Sequence, residues 1–210
     1  MRIVGVTGGI GSGKSTIVHE LSRRGYRIYD CDKEAKRIIE EDASVRGAIT
    51  ALFGSEAYIA DVSGETHYNT AYISAQVFAN PELRLRLNAI VHPAVAADIK
   101  AAASKTDSEV LFVETAILYQ SGLYRMCEMV VWVDAPEDIR VKRTLARDYQ
   151  GDASPVNTNK VRARMHTQEN EYYAARQEQI PVLRICNDGE ASIEELADII
   201  VARLSCGAGR

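Results

Sequence analysis

Short apolar runs and longer amphipathic stretches alternate along this chain. The first run, residues 3–7, is apolar on both faces and leads into glycines, as a buried strand of a parallel sheet does. Four further runs lie at residues 26–29, 110–113, 129–133 and 182–186. Because the stretches between these runs show helical periodicity, the pattern predicts an α/β fold with a five-stranded parallel sheet.

Capping residues delimit the predicted helices. These helices cover residues 14–24, 33–41, 45–53, 70–78, 80–92, 137–147 and 160–179, and a final helix ends near residue 204. Gly25 is expected to end the first helix, and Asp30 to cap the second. Ser192 and Glu195 have the spacing of a capping box before the final helix.

Three stretches interrupt the helical pattern. Pro93 is expected to stop one helix near His92 and to start another, because proline cannot continue the hydrogen-bond ladder. Residues 55–68 show no clear periodicity and are expected to form a loop. Residues 151–159 are polar and contain a proline, which predicts a mobile loop.

Composition narrows the classes of function. The chain has 210 residues, 46% of them apolar, a formal net charge of -4 and a sequence pI of about 5.6. This charge argues against a nucleic-acid partner, and no apolar run reaches the ~18 residues of a membrane span. The four cysteines form no CxxC pair, which indicates free thiols in a reducing compartment. We therefore expect a cytoplasmic protein without a membrane partner, either a monomer or a weak homo-oligomer.

Residues 8–15 match the phosphate-binding motif GxxxxGK[ST] at every fixed position, after a predicted strand and before a predicted helix. Lys14 can reach the β- and γ-phosphates of ATP, and the Ser15 hydroxyl can hold Mg²⁺. The alternative is a glycine-rich turn with a solvated lysine. The motif predicts ATP contacts from Gly8, Gly9, Gly11, Ser12, Gly13, Lys14, Ser15 and Thr16.

A kinase also needs a group near the acceptor hydroxyl and arginines near the transferred phosphoryl. Asp30 and Asp32 follow the second strand, and would face the phosphate loop if that strand neighbours the first. Either carboxylate could orient or deprotonate an acceptor hydroxyl, or could cap the following helix; the cap is favoured for Asp30 and the functional role for Asp32. Arg143 and Arg147 share one helix face ahead of the predicted mobile loop, where either a lid or a solvated basic face is expected.

These motifs occur in an order that resembles the dephospho-CoA kinase family over nearly the whole chain. The resemblance rests on TGGIGSGKST at residues 7–16, DCD at 30–32, LNAIVHP at 87–93, VWVDAP at 131–136, the pair Arg147-Asp148, the pair Arg164 and Gln168, and NDG at 187–189. An NKxD guanine motif after a strand is lacking, which argues against a switch GTPase.

The resemblance implies transfer of a phosphoryl group from ATP to the ribose 3′-hydroxyl of dephospho-coenzyme A. It implies Asp32 as base and acceptor contact, Lys14 and Arg147 as catalytic cations, and Arg143 and Asn187 at ATP. It also implies a P-loop kinase core (1–54, 105–146 and 180–210), a helical acceptor-binding insertion (55–104) and a lid (147–179). The alternatives are another small P-loop kinase and a nucleotide-binding switch without a metabolite acceptor.

Some positions depart from the family pattern or have a second interpretation. Ala116 and Gln120 replace a proline and a glutamate after the third strand, and Thr70 stands where an arginine is expected. His92 is either an acceptor contact or a cap before Pro93. Asn187 either contacts adenine or belongs to a tight turn.

Overall fold

A parallel sheet in the order β2-β5-β1-β6-β7 dominates the computed structural model. Its strands are β1 (Arg2–Thr7), β2 (Arg27–Asp30), β5 (Val110–Glu114), β6 (Met129–Asp134) and β7 (Val182–Cys186). The structure describes residues 1–105, 108–168, 171, 174–175 and 180–207. These residues form two compact units, Met1–Tyr29 with Thr106–Arg210 and Asp30–Lys105. The five predicted strands are confirmed within two residues at each end.

The three central strands β1, β5 and β6 are largely buried because they are apolar on both faces. All five residues of β5 are buried, and Val4, Phe112 and Val131 share one core cluster. β1 pairs in parallel with β5 on one side and with β6 on the other, with Val6 opposite Glu114 and Thr7 opposite Trp132. The carboxyl ends of these strands therefore meet at one edge, where ligands bind in parallel sheets.

Four α-helices lie within the described residues of the first unit. They are α1 (Lys14–Arg23), α6 (Glu137–Asp148), α7 (Pro155–His166) and α8 (Ile193–Gly207). Gly25 follows α1 with a φ of 89°, as predicted, and the capping box of Ser192 and Glu195 is formed. The predicted loop at 151–159 is wrong in its second half, because Ser154 caps a helix that begins at Pro155. The single helix predicted at 160–179 is wrong, because α7 ends at His166 and a turn follows at 167–168; much of the remaining stretch lies outside the described residues.

The second unit consists of helices and one small hairpin. Its elements are α2 (Cys31–Glu41), α3 (Ala43–Phe53), β3 (Tyr58–Ala60), β4 (Thr66–Tyr68), α4 (Thr70–Ala79) and α5 (Pro81–Ser104). The loop predicted at 55–68 is wrong, because β3 and β4 pair antiparallel around a turn at Asp61 and Gly64. The division into core, acceptor-binding insertion and lid stays a prediction.

The predicted break at Pro93 is also wrong. α5 runs without interruption from Pro81 to Ser104, with Pro93 in its interior. Burial of Val91, Val95 and Ile99 along one face holds this helix together across the proline. Tertiary packing therefore outweighs the local cost of the missing hydrogen bond.

The described helices also bear on the question of a membrane span. None of them is long and apolar enough to cross a membrane.

Candidate active site

The phosphate loop, defined as residues 8–13, connects β1 to α1 at the carboxyl edge of the sheet. Gly11 and Gly13 have φ angles of 77° and 85°, which side chains with a Cβ rarely adopt. A Cβ would also overlap the Arg140 carbonyl at Gly11 and the Asn187 amide at Gly13. Both glycines are therefore required for this loop, and the motif prediction of its position is confirmed.

Lys14 and Ser15 begin α1 and share one carboxylate oxygen. Glu114 Oε1 accepts from Lys14 Nζ at 2.7 Å and from Ser15 Oγ at 2.7 Å. The Glu114 side chain is 11% exposed and that of Lys14 is 15% exposed, so water screens the pair weakly. The sequence pattern singled out Lys14 and Ser15 but not Glu114, although its position at the end of a buried strand marks it.

Asn187 fixes the phosphate loop from the end of β7. Its Nδ2 donates to the carbonyl of Ser12 at 2.9 Å, and its side chain is buried. Arg143 donates from Nη1 to the Asn187 carbonyl and from Nη2 to Asn187 Oδ1. The predicted tight turn is present, since Gly189 has a φ of 96°. Contact of Asn187 or Arg143 with ATP stays a prediction, and the observed bonds give both residues a positioning role.

Ile10, at the tip of the phosphate loop, is held by two further side chains. Its N–H donates to Gln168 Oε1 at 2.7 Å, and its carbonyl accepts from Arg140 Nε at 3.0 Å. Its side chain packs against the apolar contact between α6 and α7, formed by Val141, Leu145, Val161 and Met165. Sequence reasoning gave Arg140 and Gln168 no role at the loop.

Other atoms of the site remain without partners. Among the described residues, neither Thr7 Oγ1 nor Ser12 Oγ has a hydrogen-bond partner, although both are buried. Gly8 and Gly9 lie at the start of the loop, and a Cβ on Gly8 would overlap the carbonyl of Val133. Thr16 lies in the first turn of α1 with an exposed side chain.

Arg147, at the end of α6, belongs to an ion-pair cluster with Asp148 and Arg164. Asp148 accepts from Arg147 Nε at 2.7 Å and from Arg164 Nη1 at 2.6 Å. These two bonds hold the pKa of Asp148 well below its ordinary value, and the bond from Arg147 has the larger effect. The side chain of Arg147 is 61% exposed, so a ligand can reach it. Its contact with the transferred phosphoryl stays a prediction.

A buried carboxylate fixes the segment that departs from the family pattern. Glu171 accepts from the backbone N–H groups of Tyr119 and Gln120, at 2.5 and 3.0 Å. Burial raises the pKa of Glu171, while the two backbone bonds lower it less. Glu171 therefore stabilises the loop that follows β5 and Glu114.

Asp30 and Asp32, for which the sequence predicts roles, lie at the start of the second unit. Asp30 Oδ1 accepts from the Lys33 N–H at 3.0 Å, which confirms its interpretation as a helix cap. α2 begins at Cys31, two residues earlier than predicted, so Asp32 lies in the first helical turn. The strand before them is β2, which neighbours β5 rather than β1. The condition on which both were expected to face the loop is therefore not met, and the role of Asp32 stays a prediction.

His92 lies in the interior of α5. The interpretation as a cap before Pro93 is therefore wrong. Burial lowers the pKa of His92, which favours the neutral imidazole at pH 7. Contact with the acceptor stays a prediction.

Comparison with known proteins identifies relatives of this chain. The sequence profile of a family described as dephospho-CoA kinase matches residues 2–192. The dephospho-CoA kinase of Porphyromonas gingivalis is 37% identical over 84% of this chain and 82% of its own. That of Salinibacter ruber is 39% identical over 80% of this chain and 81% of its own. The solved dephospho-CoA kinase structure from Campylobacter jejuni covers 99% of both chains with a TM-score of 0.64 and 23% identity, a likeness of fold.

Proposed function

This chain belongs to the dephospho-CoA kinase family, and from that premise we propose how its residues carry out the reaction. The enzyme phosphorylates dephospho-coenzyme A, which is the final step of coenzyme A synthesis. The observation that carries the proposal is the junction of the phosphate loop with Lys14, Ser15 and Glu114. It offers one cation, one hydroxyl and one carboxylate at the start of a helix.

The phosphates of ATP bind along the phosphate loop. The helix start of α1 adds partial positive charge there, and Lys14 adds a full one. Lys14 exchanges its ion pair with Glu114 for contact with the β- and γ-phosphates. Arg143 and Asn187 keep the loop in shape beside the nucleotide.

A magnesium ion fits the residues beside Lys14. The Ser15 hydroxyl and the Glu114 carboxylate are oxygen ligands of the kind that Mg²⁺ prefers, 2.7 Å apart. Ser15 would hold the ion directly, and Glu114 through water. A bound Mg²⁺ supplies charge neutralisation for the phosphates. Asp134 Oδ1, at the end of β6, already accepts a hydrogen bond from the backbone N–H of Ala135.

Asp32 serves as the base and contacts the acceptor. The 3′-hydroxyl oxygen of the acceptor ribose forms a bond to the γ-phosphorus of ATP. The bond from that phosphorus to the β–γ bridging oxygen breaks, and ADP leaves. The hydroxyl proton passes to Asp32, and Lys14 and Arg147 stabilise the charge that spreads over the phosphoryl oxygens.

The segment from Arg147, at the end of α6, to Gln168 belongs to the predicted lid (147–179), which closes over the site. Closure excludes water, which competes with the acceptor hydroxyl for the phosphoryl group. Arg147, which is exposed, then gives up its ion pair with Asp148 and contacts the phosphoryl. Asp148 keeps its ion pair with Arg164. We also propose a cytoplasmic location, because the co-substrate ATP is available there.

A pair of neighbouring variants tests the base. Asp32→Asn keeps the shape but cannot take a proton, so kcat is expected to fall by about 10²-fold or more while ATP still binds. Asp30→Asn keeps the cap on Lys33 and is expected to stay within about threefold of wild type, since Asn caps as well as Asp. Production of coenzyme A and ADP is followed by chromatography with mass detection. Near-normal turnover by Asp32→Asn would remove Asp32 from the mechanism.

A further inference from the structure

The peptide groups on both sides of Ile10 are fixed from outside the phosphate loop. Gln168 Oε1 accepts a hydrogen bond from the Ile10 N–H, and Arg140 Nε donates one to the Ile10 carbonyl. Neither bond comes from the loop itself or from a neighbour in sequence. The tip of the loop is thus held by α6 and by the chain that follows α7.

These bonds determine where other N–H groups of the loop point. In a trans peptide the C=O and the next N–H point in opposite directions. Because Arg140 holds the Ile10 carbonyl, the Gly11 N–H points away from Arg140. Because Asn187 holds the Ser12 carbonyl, the Gly13 N–H points away from Asn187. Such turned peptides form the concave nests that bind phosphate.

Gly9 provides a second sign that the Arg140 contact is built into the loop. A Cβ at Gly9 would overlap the Arg140 guanidinium. Position 9 is one of the variable positions of the motif, so the motif itself does not demand glycine there. The absence of a side chain lets Arg140 lie against the loop.

Gln168 also belongs to a segment that fixes the neighbouring loop. The Glu171 N–H donates to the Gln168 carbonyl at 3.0 Å, so the two residues lie one turn apart. Glu171 holds the backbone of Tyr119 and Gln120, which follow Glu114. One short segment therefore fixes the loop that precedes Lys14 and the loop that follows Glu114.

We propose that Gln168 and Arg140 are positioning residues for phosphoryl transfer, which hold the peptides of Ile10 so that the Gly11 N–H is directed at the phosphates of ATP. They act through the backbone of Ile10 and touch neither substrate. The inference rests on the proposed binding of ATP at the phosphate loop. It makes the shape of that loop dependent on the segment that forms the lid.

Three variants test this inference. Gln168→Met and Arg140→Met keep the length of the side chain and remove the acceptor or the donor. Gly9→Ala, at a position without a left-handed φ, displaces the flexible guanidinium of Arg140. Arg162→Met is the matched control, because Arg162 is an exposed arginine of α7 that pairs with Glu137.

The readouts are kcat and KM for each substrate, and the Tm. Each test variant is expected to lower kcat/KM for ATP by about tenfold or more, the scale of one misdirected N–H on a charged group. The KM for dephospho-coenzyme A and the Tm are expected to stay close to wild type. Arg162→Met is expected to stay within about twofold in all parameters.

Two outcomes would overturn the inference. One is unchanged kcat/KM for ATP in folded Gln168→Met and Arg140→Met, with or without a lower Tm. The other is a rise in KM for dephospho-coenzyme A as large as that for ATP. Lys14→Met separates this failure from failure of the proposed function: if that variant retains activity, ATP does not bind at the phosphate loop at all.

Discussion

Glu114 and Lys14 form a largely buried ion pair, with 2.7 Å between Oε1 and Nζ. The same oxygen accepts from Ser15 Oγ. One carboxylate thus engages both the cation proposed for the phosphates and the hydroxyl proposed for Mg²⁺. If Mg-ATP binds as proposed, these three groups exchange partners.

Glu114→Gln is expected to change nucleotide affinity and turnover in opposite directions. Without Mg²⁺, removal of a negative charge beside the phosphates should tighten ADP binding by about tenfold. With Mg²⁺, kcat should fall by about tenfold or more, because one oxygen partner of the ion is weakened. Calorimetry with a chelator and steady-state assays with Mg-ATP measure the two effects. A parallel loss of both would show that Glu114 only supports the loop, and Glu128→Gln serves as an exposed control.

Asn187→Ala is expected to lower the unfolding free energy and to weaken the proposed binding of ATP. The variant leaves the Ser12 carbonyl without its buried donor and removes one of the two bonds to Arg143, which costs about 1–3 kcal/mol of unfolding free energy. The KM for ATP should rise because Gly13 and Ser12 lose their support. Urea unfolding and assays measure these changes against Glu190→Ala, an exposed position on the same turn. A rise in KM with unchanged stability would instead indicate direct contact of Asn187 with ATP.

Glu171→Gln is expected to change the pH dependence of stability. Because burial raises the pKa of Glu171 in the folded protein, the folded state holds its proton more tightly than the unfolded state. That contribution is fully present below the unfolded pKa and is lost as pH rises through the folded pKa. The advantage of wild type over Glu171→Gln in unfolding free energy should therefore shrink as pH rises from the acid range. A constant difference across that range would contradict the prediction.

Pro93→Ala is expected to raise the unfolding free energy by about 1–3 kcal/mol, because alanine restores the backbone bond to Ala89. Chemical denaturation measures the change, and Ala94→Gly in the same helix should have the opposite sign. An unchanged or lower stability would mean that packing around α5 depends on the proline ring.

The chemistry of the first strand and loop was predictable because it is local. Residues 8–15 combine a motif, a strand before it and a helix after it, so three signals agree. The cap at Asp30 and the box at Ser192 were predictable for the same reason. Each depends on residues within four positions of one another.

The residues that support the site are contributed by distant parts of the chain. Gln168 contacts Ile10 across 158 positions, and Glu171 contacts Tyr119 across 52. No periodicity connects such pairs, and polar residues in a helix look the same whether they face water or a loop. The role of Asn187 was missed for this reason, because a turn sequence does not reveal which carbonyl its side chain reaches.

Local sequence propensity gives a wrong prediction where tertiary packing determines the secondary structure. Pro93 breaks an isolated helix, but the buried face of α5 carries the helix past it. The three-residue strands β3 and β4 are too short to show an alternation. Only their mutual pairing and the turn at Asp61 define them.

The strand order has a consequence for synthesis of the protein on the ribosome. β1 and its phosphate loop are made first, yet both partners of β1 lie beyond residue 109. At elongation rates of ~5–20 residues per second, β1 waits on the order of ten seconds before β5 and β6 emerge. During that interval an apolar strand with two unpaired edges is open to association with other nascent chains. The phosphate loop is thus encoded at the start of the chain, while the residues that support it, Gln168 and Asn187, are made near its end.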